Sequence, residues 1–187
     1  MCYFVSYIVT ESRVYHYPGA DSHEEIIKLA GLRDGIGGGN FVRCEIKPDW
    51  TDWADVSKWR FRTDQDVRPD WYSEADAEQQ GRIIAQRIVD SGDWRVGGSL
   101  DLRGCTGLTA LPDGLSVGGW LDLSGCTGLT TLPDNLNVGV LLYMTGCTGL
   151  TALPNGLTVG EWLDLRGCTG LTAEQIAEAR KKHKVVL

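Results

Sequence analysis

Several things are scarce in this chain, and each absence removes a class of function. No run of 18 apolar residues occurs among its 187, so no membrane-spanning helix is expected. The opening residues, MCYFVSYIVTESR, lack the basic start of a secretory leader and read as a strand, which makes a cytoplasmic location the expectation. No two cysteines form a CxxC pair, so the usual zinc-finger and thioredoxin spacings are missing. His16, His23 and His183 are scattered, with no serine or cysteine placed to make a dyad or triad, and solvated or structural roles are expected for them. The glycine-rich GIGGGN at 35–40 has no Lys-Ser/Thr ending and follows a predicted helix rather than a strand, so it is a loop and not a phosphate cradle. No catalytic residue, cofactor or metal site is expected.

Basic charge is also short. There are 25 acidic against 18 basic side chains, a net charge of −7. The acids lead by 17 to 11 over 1–93 and by 6 to 3 over 94–172, and only 173–187 is basic, by 4 to 2. Carboxylates repel phosphates, so direct nucleic-acid binding is not expected.

What is present is a repeat. Four copies of one 21-residue unit begin at Val96, Val117, Val138 and Val159. The first three read VGGSLDLRGCTGLTALPDGLS, VGGWLDLSGCTGLTTLPDNLN and VGVLLYMTGCTGLTALPNGLT; the fourth opens VGEWLDLRGCTGLT and then departs. Within each, L-x-L has period 2, so both apolar side chains point to one side of a short strand. Gly104, Gly125, Gly146 and Gly167 follow it and accept the positive φ of a turn. The return carries inward Leu108, Leu111, Leu115 and Val117, with Pro112, Pro133 and Pro154 suiting an extended path without ladder bonds. One copy cannot bury its own leucines, so copies must stack.

The cysteines at 105, 126, 147 and 168 are one position used four times. A linear column of thiols cannot surround a metal, and its members are expected to be buried, reduced and mostly apolar filling.

The pattern L-x-L-x-x-C-x-x-L with its L-P segment resembles the leucine-rich repeat in its short bacterial form, over residues 94–172. The resemblance implies a parallel β solenoid with binding on the exposed sheet face. It departs in having GCTG where many members carry an asparagine that satisfies backbone groups inside the turn.

Helices are expected at both ends of the array. Residues 73–91 have Ser73 as a candidate N-cap and Ala77, Ile84 and Ile88 at helical spacing, with Ile83 beside them. Trp94 then stands where later copies have leucine. Residues 173–184 follow a capping-box pattern at Thr172 and Gln175 and end in basic residues suited to a helix C-terminus.

The first 72 residues predict a hairpin from 2–9 and 13–17, a helix capped by Asp21 or Ser22 with Ile26, Ile27 and Leu29 inward, and strands at 41–46 and 59–63. Glu45 to Glu78 holds ten acids and five bases, with Trp50, Trp53, Trp59 and Trp71 as candidate core anchors. Followed by a repeat array, this part resembles small accessory proteins of bacteriophage genomes.

The expected fold is therefore α+β: an α+β N-terminal domain over 1–72, then a leucine-rich-repeat-like solenoid over 73–187 with helical caps at 73–91 and 173–184. If the leucines point in, their neighbours point out in three columns: Ser99, Trp120, Leu141 and Trp162; Asp101, Asp122, Tyr143 and Asp164; Arg103, Ser124, Thr145 and Arg166. Aromatic and arginine side chains of this kind make interface hot spots. The expected function is non-enzymatic binding of a protein partner through this face, with no membrane role and a homodimer possible. The alternatives are a phage inhibitor of a bacterial defence system acting by steric block or acidic mimicry, and a small-molecule or nucleotide binder with a pocket between the domains that uses arginines such as Arg60 and Arg62.

Overall fold

The computed structural model describes residues 5–17, 20, 22–32, 41–66 and 68–187. Cys2, Asp21 and most of the glycine-rich segment (33–40) lie outside these residues. The fold is mixed α+β, with three helices and both antiparallel and parallel sheets among the described residues. No described helix is long and apolar enough to cross a membrane. The chain divides into two compact units, one holding most of Tyr3–Ser91 and the other Gly92–Leu187 together with Trp50–Asp52.

In the first unit, strands β1 (Val5–Val9), β2 (Val14–Tyr15), β3 (Val42–Lys47) and β4 (Arg60–Thr63) form an antiparallel sheet in the order β2-β1-β3-β4. The β1–β2 hairpin closes through Thr10, whose N–H donates to the Arg13 carbonyl at 2.8 Å. Strand alternation gives the sheet two faces. Ile8 packs with Ile26 and Phe41 on the side of helix α1 (His23–Leu29). Tyr7, one residue away, points to the other side and donates its hydroxyl to the Ala77 carbonyl of helix α2 (Glu74–Ser91) at 2.7 Å.

Helix α1 starts where Ser22 accepts from the Glu25 N–H, as expected of an N-cap, but its inward face differs from the expected one. His23 and Ile26 are buried, whereas Leu29 is 56% exposed. In α2 the buried face is Ala77, Gly81, Ile84 and Ala85. Gly81 is there because a Cβ would collide with the Tyr7 hydroxyl. The contacts of α2 are with β1, β3, β4 and the 3₁₀ turn Val56–Lys58, so the division between units falls after Ser91 rather than at residue 72.

The second unit contains two parallel sheets. One runs through β6 (Leu100–Asp101), β8 (Leu121–Asp122), β10 (Leu141–Tyr143), β12 (Trp162–Asp164) and β13 (Lys184–Val186). Leu100 pairs with Leu121, Leu121 with Leu142, Leu142 with Leu163 and Leu163 with Val185. The second runs through β5 (Arg95–Val96), β7 (Ser116–Val117), β9 (Asn137–Val138) and β11 (Thr158–Val159), again one repeat apart at each step. The return segment was expected to be free of ladder bonds. It instead carries this second ladder, because the residues after Pro112, Pro133 and Pro154 extend far enough to pair: Ser116 N–H donates to the Trp94 carbonyl at 2.8 Å and Thr158 N–H to the Leu136 carbonyl at 2.9 Å.

Side chains on the L-x-L positions from Leu100 to Leu165 are buried, as are Leu108, Leu115, Leu129, Leu136 and Leu150. Trp94 is buried in a leucine's place and lies 6.3 Å from the Trp50 ring. Helix α3 (Ala173–Lys182) has the expected capping box at Thr172 and Gln175. It stops two residues short of the expected end, since His183 turns extended and Lys184 opens β13.

Two glycine columns permit the close stacking. Gly125 has φ 75°, the turn conformation that other residues adopt at a cost. Gly139 has a different constraint, since a Cβ there would strike the Gly118 carbonyl oxygen of the preceding copy. Gly139→Ala is therefore expected to destabilise the protein by about 1–3 kcal/mol. Thr148→Ala, at an exposed position, should shift the urea midpoint by an amount within experimental scatter. Equal midpoints for the two variants would contradict the close approach.

Candidate functional site: the outer face of the five-stranded parallel sheet

With the L-x-L side chains buried, the alternating residues occupy the opposite face. Trp162 is 46% exposed, and Trp120, Leu141 and Tyr143 are partly exposed. Leu141 lies opposite Trp162 in the β10–β12 register, and the β8–β10 register sets Trp120 beside Leu141. Lys184 of β13 places its Nζ 5.6 Å from the Trp162 ring centroid, a cation–π contact at one end of the row. Ser99, at the other end, accepts from the Trp120 N–H at 3.1 Å.

The acidic column has a local task. Asp101, Asp122 and Asp164 each accept from the backbone N–H two residues ahead, at 3.1, 2.9 and 3.0 Å. This aspartate turn satisfies a donor as the strand enters its bend. Arg103 and Arg166 fold back onto the same carboxylates, each with a contact of 2.6 Å from Nη2. The Arg103 guanidinium holds the Asp101 carboxyl below its usual range, and Arg166 does the same for Asp164. Asp164, expected to face outward, is 5% exposed. The five charged candidates are thus tied to turns and to one another, and the apolar surface of the face is Trp120, Leu141, Tyr143 and Trp162.

No family model, curated protein or solved structure matches the chain.

The cysteine column has a polar role that was not expected. Cys126, Cys147 and Cys168 donate their thiols to the carbonyls of Leu102, Leu123 and Met144 at 3.1, 3.1 and 3.0 Å. Each of those carbonyls also accepts a backbone N–H in its own turn, from Cys105, Cys126 and Cys147 respectively. The thiol therefore fills the second lone pair of a carbonyl one repeat back. The described cysteines are all reduced. The sequence signal was the invariant spacing of 21 residues, read as packing alone because a thiol is a weak donor.

A second constellation lies in the first unit. His23, Glu45 and Asp64 bring ligand-capable atoms within 4.8 Å of one another. His23 is buried and its Nε2 is 3.0 Å from the Cys44 carbonyl, while Nδ1 is 3.5 Å from Asp64 Oδ2. Arg62 bonds Glu45 at 2.9 Å and Asp64 at 3.1 Å. Burial pushes the Glu45 carboxyl up, against the pull of Arg62. Sequence reading set His23 aside because its partners are distant in the chain; the β3–β4 register, which opposes Glu45 to Arg62, assembles them.

The other acids of residues 45–78 are largely engaged. Asp55 pairs with Lys58, Glu74 with Arg68 and Glu78 with Arg82. Arg82 also donates to the Val56 carbonyl at 2.6 Å. A cleft beside α3, lined by Leu153, Pro154, Leu157, Glu178 and His183, holds ≈ 120 Å³, well under the ~300 Å³ of an ordinary small-molecule pocket.

The thiol bonds carry a pH signature. Burial raises Cys126 from 9.0 to about 11. A raised thiol pKa favours the folded state while the thiol is neutral in both states. That contribution is complete below about 9, falls as the unfolded chain ionises, and is gone above about 11. Alkylation at pH 8 followed by mass mapping should label half-buried Cys105 well before Cys126. Equal labelling rates in folded protein would contradict the buried thiol bond.

Proposed function

We propose that the repeat half is a leucine-rich-repeat-like solenoid of four coils whose sheet face binds a protein partner without catalysis. The architecture draws support from the register: every step in both ladders is one 21-residue copy. It draws further support from the thiols, which bond turn carbonyls as the asparagine does in the family this pattern resembles.

One observation carries the binding reading. Among the described residues, Trp162 is the one aromatic among the large exposed apolar side chains, and it stands in a row with Leu141 and Trp120. Tryptophans with little freedom, flanked by fixed charges, supply binding energy at low entropic cost. The face spans five strands, about 19 Å at ~4.8 Å per step. A single extended segment of the partner matches that length. The row is apolar and its neighbouring charges are internally paired, so the contacting segment should be apolar rather than strongly charged.

Replacing both Trp120 and Trp162 with alanine is expected to weaken a partner captured from bacterial lysate by ~100-fold or more, at about 2 kcal/mol per hot-spot residue. Calorimetry reads the affinity, and circular dichroism with urea unfolding checks that the variant folds. An unchanged affinity in a folded double variant would sink the proposal.

A further inference from the structure

We propose that His23, Glu45 and Asp64 form a binding site for a divalent first-row transition ion of the Mn²⁺ or Zn²⁺ class, independent of the sheet face. Three features of the cluster point to a cation. The Cys44 carbonyl can only accept, so His23 Nε2 must be the donor in their 3.0 Å contact. That fixes the neutral ring with its lone pair on Nδ1, and the groups Nδ1 meets are carboxylates, which also only accept. Histidines that bind metals almost always donate their other ring N–H in this way, commonly to a backbone carbonyl.

The second feature is burial. His23 is 8% exposed and Glu45 is 8% exposed, so a lone pair and a carboxylate facing each other there are poorly served by water. The third is Arg62. It grips Glu45 through Oε2 and Asp64 through Oδ1, which leaves Asp64 Oδ2 as the oxygen nearest Nδ1. Arg62 thus orients the carboxylates from outside the cluster, the role that outer partners of metal ligands perform.

The donor set selects the ion. One imidazole with two carboxylates suits manganese, iron or zinc, whereas calcium and magnesium take oxygen alone. Three donors leave positions open for water or another ligand. Atoms ~2.1 Å from a common ion are at most about 4.2 Å apart, so the cluster, now within 4.8 Å, must close by a fraction of an ångström. Asp64 can supply that movement, since it follows β4 and its side chain is 43% exposed.

The test uses the full chain freed of metal by a chelator and then titrated with Zn²⁺ against a chromophoric competitor. One ion per chain should bind saturably, and the ¹⁵N resonance of His23 Nδ1 should move while that of His183 stays. Asp64→Asn, at a half-exposed position that leaves the core intact, should weaken Zn²⁺ by ~10-fold or more. Absence of saturable binding, an unmoved Nδ1 resonance at saturation, or wild-type affinity in Asp64→Asn would each overturn the proposal. None of these readouts involves Trp120 or Trp162, so failure here leaves the binding face untouched, and the converse also holds.

Discussion

The second unit depends on backbone hydrogen bonding between points 21 residues apart. Leu102 N–H reaches the Asp122 carbonyl, Leu123 N–H the Tyr143 carbonyl and Met144 N–H the Asp164 carbonyl, all within 2.8–3.0 Å. Across the return, Gly118 N–H reaches the Val96 carbonyl and Gly139 N–H the Val117 carbonyl, both at 2.8 Å. Buried amides must find partners, and here each copy finds them in the next. The leucines pack because this register aligns them, and the glycines are small because the backbones come close.

The same register makes the repeat's variation meaningful. Positions that serve stacking recur in every copy, while the outward positions change from serine to tryptophan to leucine to tryptophan. The aspartates, which look like a charged binding surface in sequence, cap their own turns and hold Arg103 and Arg166. What is left for a partner is narrower and more apolar than the sequence columns suggest. The proposed face and the proposed metal cluster also rest on different chemistry, one on rigid aromatic area and the other on buried donors.

Legibility followed the range of the interactions. The inward L-x-L positions, the positive-φ glycine after each strand and the capping box of α3 were readable because each is set within a few residues. Leu29 was misplaced because a seven-residue helix offers several apolar stripes, and contact with Ile8 and Phe41 selected the one through Ile26. Helix α2 was expected to cap the array, yet its small residues Ala77, Gly81 and Ala85 fit the antiparallel sheet, a match that depends on Tyr7 seventy residues earlier in the chain.

By itself the sequence determined the period, the inward leucines and the turn glycines, because a repeat states its own neighbour contacts four times over. It also bounded the charge and excluded several familiar motifs. Only the tertiary structure decided the partners of side chains that meet across long loops. It gave the thiols their carbonyls, buried Asp164, added the second parallel ladder and the strand Lys184–Val186, and gathered His23, Glu45, Arg62 and Asp64. The physical reason is that hydrogen bonds and ion pairs act over a few ångströms of space, and sequence patterns report such closeness only where the chain repeats or turns locally.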